Sequence, residues 1–169
     1  MLLKASGKCT TDQISAAGKW LRYRGHLENI SGNLFPGVTN AFTGIMGTGR
    51  DPIDGRTRRF PDIASHLSET GTRWCAVGDD NYGEGSSREL AAMEPRYRGG
   101  VAVLARSFAR IHETNLKKQG VLALTFVDPA TYELIGEEDR ISVLGLGGLA
   151  PDKPVTCRLH KPDGATVRF

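Results

Sequence analysis

Cysteine is scarce in this chain, and its placement excludes more than its number does. Cys9, Cys75 and Cys157 are odd in number and far apart, and no two form a Cys-x-x-Cys pair. That argues against an iron–sulfur or other metal site built from this chain alone, and against a disulfide framework. A chain without disulfides belongs by default in a reducing compartment, the cytosol. No apolar run reaches the ~20 residues that a membrane-spanning helix takes. The start, Met-Leu-Leu-Lys-Ala-Ser-Gly-Lys, turns polar too soon for a signal peptide. Aromatic residues make up only 7% of the chain and no Lys/Arg run interleaves with them, so nucleic acid is not an expected partner. Lys117-Lys118 and Arg58-Arg59 are isolated basic pairs, read here as solvated. There is no internal repeat or low-complexity tract.

What remains is an ordinary globular composition, 39% hydrophobic and 24% charged over 169 residues. That length supports one domain, residues 1–169, with a real core. Glycine is abundant, at 21 residues, which implies many tight turns and close backbone approaches. The net charge of +3 is slight and is compatible with a basic site for a multiply charged anion.

The pattern changes along the chain. A short apolar start at 2–5 leads into Gly7-Lys-Cys-Thr-Thr-Asp12-Gln13-Ile14-Ser15, where Thr and Asp side chains can hold a turn or cap. Residues 31–62 are rich in Gly and Pro and read as a long surface excursion. Residues 60–71 read as a short helix ending at Gly71. From residue 73, strands and helices alternate: strand 73–77, helix 87–97, strand 101–106, helix 108–119 closed by Gly120, strand 121–127. These strands are nearly continuous in apolar character, as parallel strands covered on both faces are, and imply right-handed βαβ crossovers. Beyond Pro129 follow a short helix, the run Ile141-Ser-Val-Leu, and two strand-like segments, 154–160 and 165–169. The last two flank a Lys-Pro-Asp-Gly turn, a hairpin signal.

The most informative stretch is Gly78-Asp-Asp-Asn-Tyr-Gly-Glu-Gly-Ser86-Ser87-Arg88-Glu-Leu-Ala-Ala92, a strand–loop–helix junction. Gly83 and Gly85 let backbone amides approach a ligand. Ser86 and Ser87 are candidate helix caps, with Glu89 at capping-box spacing from Ser86. Arg88 is placed in the first helical turn. A helix N-terminus favours anions, and a guanidinium there adds bidentate recognition of carboxylate or phosphate. The same residues also read as a well-capped helix start, so the motif alone leaves both readings open.

Five segments together resemble one family: Gly7-Lys-Cys-Thr-Thr-Asp12, Tyr23-Arg24-Gly25-His26, Asn29-Ile-Ser31, Gly78 to Glu89, and Ser107-Phe-Ala-Arg-Ile-His-Glu-Thr-Asn-Leu-Lys-Lys-Gln-Gly120. The chain is similar along nearly its whole length to the C-terminal swivelling domain of aconitase, an architecture shared with the small subunit of isopropylmalate dehydratase. The resemblance implies an α/β fold with β/β/α layers: a mixed, largely parallel sheet, flanking helices and a C-terminal β-hairpin. It implies that Ser86 is the alkoxide base that removes a substrate C–H proton. Ser87, Arg88 and Arg24 would hold substrate carboxylates, and Asp12 would belong to the same surface. Two positions depart from the family pattern. Gln13 stands where the family has His in Thr-Thr-Asp-His, and Leu90 where it has His in Ser-Arg-Glu-His.

The family's cluster-bearing domains have no counterpart in these 169 residues. The expectation is therefore no cofactor and no metal in this chain. The function expected is cluster-independent lyase or isomerase chemistry on a small polycarboxylate such as citrate, isocitrate or aconitate, by proton abstraction beside a carboxylate. Two alternatives stand beside it: a small subunit docking on a separate cluster-bearing large subunit (or a homo-oligomer), and a tricarboxylate-binding paralogue without turnover.

Overall fold

The computed structural model describes residues 1–151 and 153–169. In its first half, strand β1 (Leu3–Lys4) leads to helix α1 (Thr11–Ile14), a 3-10 helix at Gly18–Tyr23 and helix α2 (Leu27–Ile30). A hairpin of β2 (Thr48–Arg50) and β3 (Thr57–Arg59) precedes helix α3 (Phe60–Glu69). The second half runs β4 (Trp74–Gly78), α4 (Leu90–Tyr97), β5 (Gly100–Ala105), α5 (Arg110–Lys118) and β6 (Leu122–Thr125). Helix α6 (Thr131–Leu134), β7 (Arg140–Val143), β8 (Cys157–His160) and β9 (Thr166–Arg168) complete it.

The sheet order β1-β4-β5-β6 is wholly parallel, with Leu3 opposite Ala76, Val77 opposite Leu104, and Leu104 opposite Leu124. Alternation along β4 and β5 divides the core. Trp74, Ala76, Val103 and Ala105 face a cluster with Phe60, Ile63 and Leu67 of α3, Ala91 and Ala92 of α4, and Leu116 of α5. Cys75, Val77, Ala102 and Leu104 face the other cluster, with Tyr132, Ile135, Cys157 and Leu159. Helices thus cover one face. The antiparallel sheet β7-β8-β9 covers the other. This is the β/β/α layering expected, with one refinement: the antiparallel strands form their own sheets and leave the parallel one unmixed.

Three expectations are corrected. The 31–62 segment is no mere surface excursion, because Leu34, Phe35 and Val38 are fully buried and Phe35 packs edge-on to Phe60 and Trp74 at 6.1 and 6.2 Å. Arg58 and Arg59 are not simply solvated. Arg58 pairs with Asp51 and with Asp54, and Arg59 with Asp62 at 2.8 Å. Finally, α4 starts at Leu90 and is capped at Glu89 without a side-chain hydrogen bond, so neither serine caps it and Arg88 precedes its first turn. None of the helices formed by the described residues is long and apolar enough to cross a membrane.

Candidate functional site

The 79–89 loop leaves the carboxyl end of β4, and the 5–15 segment leaves the carboxyl end of the neighbouring β1. Ligands of open parallel sheets bind beyond these strand ends. The two segments are stitched together. Gly83 N donates to Cys9 O at 2.7 Å, Thr11 N to Glu84 O at 2.9 Å, and the Thr11 hydroxyl to Ser86 O at 2.9 Å. Gly83 and Gly85 both take positive φ, +83° and +106°, conformations that L side chains rarely adopt.

Helix α1 is closed by a capping box. Gln13 N donates to Thr10 Oγ1 at 3.2 Å, and Gln13 Oε1 accepts from Thr10 N at 2.7 Å. Gln13 therefore has a local structural role where the family pattern carries His. Ser15 ends this helix, donating its N–H to Thr11 O at 2.9 Å.

Arg88 is the focus. Its guanidinium donates to Asp12 Oδ1 at 2.5 Å and also to the Ser15 carbonyl, and its side chain is only 17% exposed. Asp12, at 64% side-chain exposure, is thus a partner of Arg88 at the rim. Ser86 and Ser87 sit two residues and one residue before Arg88, both exposed. Beneath them the Ser15 hydroxyl donates to Glu94 Oε1 at 2.7 Å. Glu94 is fully buried and its Oε2 has no partner among the described residues. Burial pushes its carboxyl up to about 7, against the opposing pull of the Ser15 hydrogen bond and of the Arg88 and Arg98 charges.

Arg24 lies on the turn that closes the 3-10 helix Gly18–Tyr23; it is exposed, with no ion pair or hydrogen bond from its side chain to any described residue. The 3-10 helix packs on α2 and α2 on α4, which ties Arg24 to the same helix layer. Among the described residues, no hydrogen bond links the Arg24 side chain to Arg88 or to its partners Asp12 and Ser15. Its neighbour His26 has a local role, with Nδ1 accepting from Asn29 N at 3.2 Å to cap α2.

The sequence reading missed Thr11, Ser15 and Glu94. A signal for Glu94 was available: it falls three positions after Ala91, on the apolar face that α4 buries. Nothing local marks Thr11 or Ser15.

The cysteines do not make a cluster site. All are buried, Cys9 in the helix-side core and Cys75 and Cys157 in the other, and burial raises all three thiols. The iron–sulfur cluster that the family resemblance implies finds no ligand set among the described residues. Asp51, Asp54 and His66 are the group with metal-ligand geometry among them. Arg58 already bonds to both carboxylates and His66 Nδ1 lies 2.7 Å from Asp51 Oδ2, so the positive charge is supplied by the protein.

Comparison with known proteins identifies the family of the chain. Residues 1–129 match the family described as Aconitase C-terminal domain. The chain is 54% identical over 167 residues to a probable mitochondrial aconitate hydratase of Caenorhabditis elegans, covering 99% of this chain and 22% of that protein. It is 54% identical over 165 residues to the mitochondrial aconitate hydratase of Schizosaccharomyces pombe, covering 98% and 21%. It is likewise 54% identical over 164 residues to that of Saccharomyces cerevisiae, covering 97% and 21%. The chain therefore spans about a fifth of the length of these relatives. A solved 3-isopropylmalate dehydratase of Methanocaldococcus jannaschii aligns with 97% of this chain and 75% of its own, at 18% identity and a TM-score of 0.49. By its family match and by its identity to the aconitate hydratases, this chain belongs to the aconitase C-terminal domain family.

Proposed function

We propose that Ser86, Ser87 and Arg88, with Arg24, form the polycarboxylate-binding half of an aconitate-hydratase-type hydro-lyase site. The observation that carries this reading is the placement of Arg88: a largely buried guanidinium, fixed by Asp12 and the Ser15 carbonyl, directly beside two exposed serines. A substrate carboxylate at this loop would be gripped by the remaining guanidinium N–H groups and the Ser87 hydroxyl. Ser86, as an alkoxide, would take the proton from the carbon next to that carboxylate. The electron pair left behind spreads into the carboxyl group, and Arg88 stabilises the charge where it grows. Arg24 would grip a second carboxylate at the mouth of the site. Asp12 serves as the orienting partner of Arg88. The rest of the active site, including any cluster, would come from a separate large subunit or from further sequence outside these residues.

A second reading is favoured by the self-contained assembly of Ser86 and Arg88 from segments 11–15 and 83–94 of this chain alone. In it the domain itself moves protons, isomerising or decarboxylating an unsaturated polycarboxylate without a cluster.

One experiment separates the readings. The purified chain is incubated with citrate and cis-aconitate in iron-free deuterated buffer and followed by NMR. Saturable binding without deuterium incorporation supports the half-site. Incorporation beside a carboxylate supports the second reading. Absence of binding refutes the anion site.

A further inference from the structure

We propose that Glu94 is a positioning residue of the anion site, acting through the Ser15 hydroxyl to fix the carbonyl that holds Arg88. This inference rests on the reading of Arg88 as the carboxylate anchor.

Ser15 is where three elements meet. Its N–H closes α1 on Thr11, its carbonyl accepts from Arg88, and its hydroxyl donates to Glu94. Thr11 in turn holds the carbonyl of Ser86. A continuous tie therefore runs from Glu94 on α4, through Ser15, to Arg88, and through Thr11 to Ser86. Ser15 and Glu94 are 1% and 0% exposed, so this link is shielded from competing water. A carbonyl orients a guanidinium only as well as its own peptide is fixed; the Ser15 backbone is bridged to Leu34, and its side chain is tied by Glu94.

Burying a carboxyl group is costly, and a Ser–Glu hydrogen bond returns only part of that cost. An apolar residue would pack this face of α4 more cheaply, as Ala91 and Ala92 do. The stability of the helix layer therefore does not explain Glu94, whereas the orientation of Arg88 does. Arg98, the other cation near Glu94, is committed elsewhere: it donates to Ser31 Oγ at 2.7 Å, Ser65 Oγ at 2.8 Å and Glu28 O at 2.9 Å.

The test reads Arg88 directly, by NMR of its side-chain Nε–H in isotopically labelled protein, alongside citrate titration and thermal melting. In Ser15→Ala and Glu94→Ala the Arg88 signal should broaden or shift, and citrate affinity should fall about tenfold. Glu94→Gln keeps an acceptor for the serine hydroxyl and should recover most of both. An Arg88 signal and citrate affinity unchanged in Ser15→Ala would overturn the proposal, even if Glu94→Ala fails to fold. Equal losses in Glu94→Gln and Glu94→Ala would also overturn it. Should the wild-type chain not bind citrate, the anion-site reading fails, and the Arg88 signal still decides whether Glu94 and Ser15 hold that side chain.

Discussion

Gly83 lies against the ring of His112: a Cβ built on Gly83 would sit 2.2 Å from both Cγ and Cδ2 of that imidazole. The loop that carries Ser86 and Arg88 is thereby seated on a buried side chain of α5, itself tilted against Tyr82 at 5.5 Å. Only a residue without a side chain closes this contact, and Gly83 also takes φ +83°. Gly83→Ala should cost about 2–4 kcal/mol, combining left-handed strain with overpacking. Urea denaturation measures the loss. Adding His112→Gly should return at least about 1 kcal/mol of it as a coupling energy, because it removes the ring and also the His112 Cβ, which lies 2.5 Å from the built Cβ. Simple additivity of the two losses would contradict this account.

The parallel core was legible because the central strand β5 is buried on both faces and reads as an apolar run at 101–106, and the half-buried edge strand β6 still carries a largely apolar run at 121–127. The β2–β3 hairpin was not. Thr48-Gly-Arg and Thr57-Arg-Arg show no apolar alternation, and what holds them is the pairing of Arg58 with Asp51 and Asp54. In the site, Arg88 and Asp12 were visible as motif residues, but their contact was not. The helix start was misplaced because Thr11 captures the Ser86 carbonyl and Ser15 captures Arg88, and these long-range bonds override a local capping pattern. The Ser15–Glu94 bond spans 79 positions, and no local spacing announces it.

Two buried titratable groups pull the pH dependence of stability in opposite directions. Burial lowers His112 from its ordinary 6.5 to about 4, so the unfolded state binds its proton first and stability rises with pH between 4 and 6.5. Burial is also the main cause raising Glu94 from 4.5 to about 7, so the native state binds its proton more tightly and stability falls with pH between 4.5 and 7. Each effect is about 3 kcal/mol across its window, so wild type should be nearly flat from pH 4.5 to 6.5 as far as these groups are concerned. Glu94→Gln removes the falling limb. Its stability should climb relative to wild type as pH rises from 4.5 to 7, which denaturant melts at several pH values would show. A constant difference between the two proteins would mean that Glu94 does not titrate as its burial requires.

Arg88 carries the prediction for binding. Arg88→Ala should weaken citrate by about 1.5–3 kcal/mol, the worth of a charge-assisted hydrogen bond. Arg88→Lys should fall between, since an ammonium cannot hold Asp12, the Ser15 carbonyl and a ligand carboxylate in one plane. Calorimetry showing undiminished citrate affinity in Arg88→Ala would remove the anchor from the site.

Ser86 should separate chemistry from binding. A serine hydroxyl is a poor base, and it becomes one only where its alkoxide is stabilised. The groups at hand are the amides of the Gly85 loop, whose φ of +106° turns the chain sharply before Ser86, and the guanidinium of Arg88 two residues on. Both act on charge that exists only as the proton moves, so removing the hydroxyl should strike turnover and spare the ground state. In the protein complete with whatever partner it needs, Ser86→Ala should cut solvent deuterium incorporation into substrate by about 10²–10⁴-fold, with citrate affinity held within about twofold. Arg88→Ala differs in kind, because Arg88 holds the ligand as well as the developing charge, and both quantities should fall. Full exchange activity in Ser86→Ala would move the base elsewhere and leave this loop as a carboxylate clamp alone.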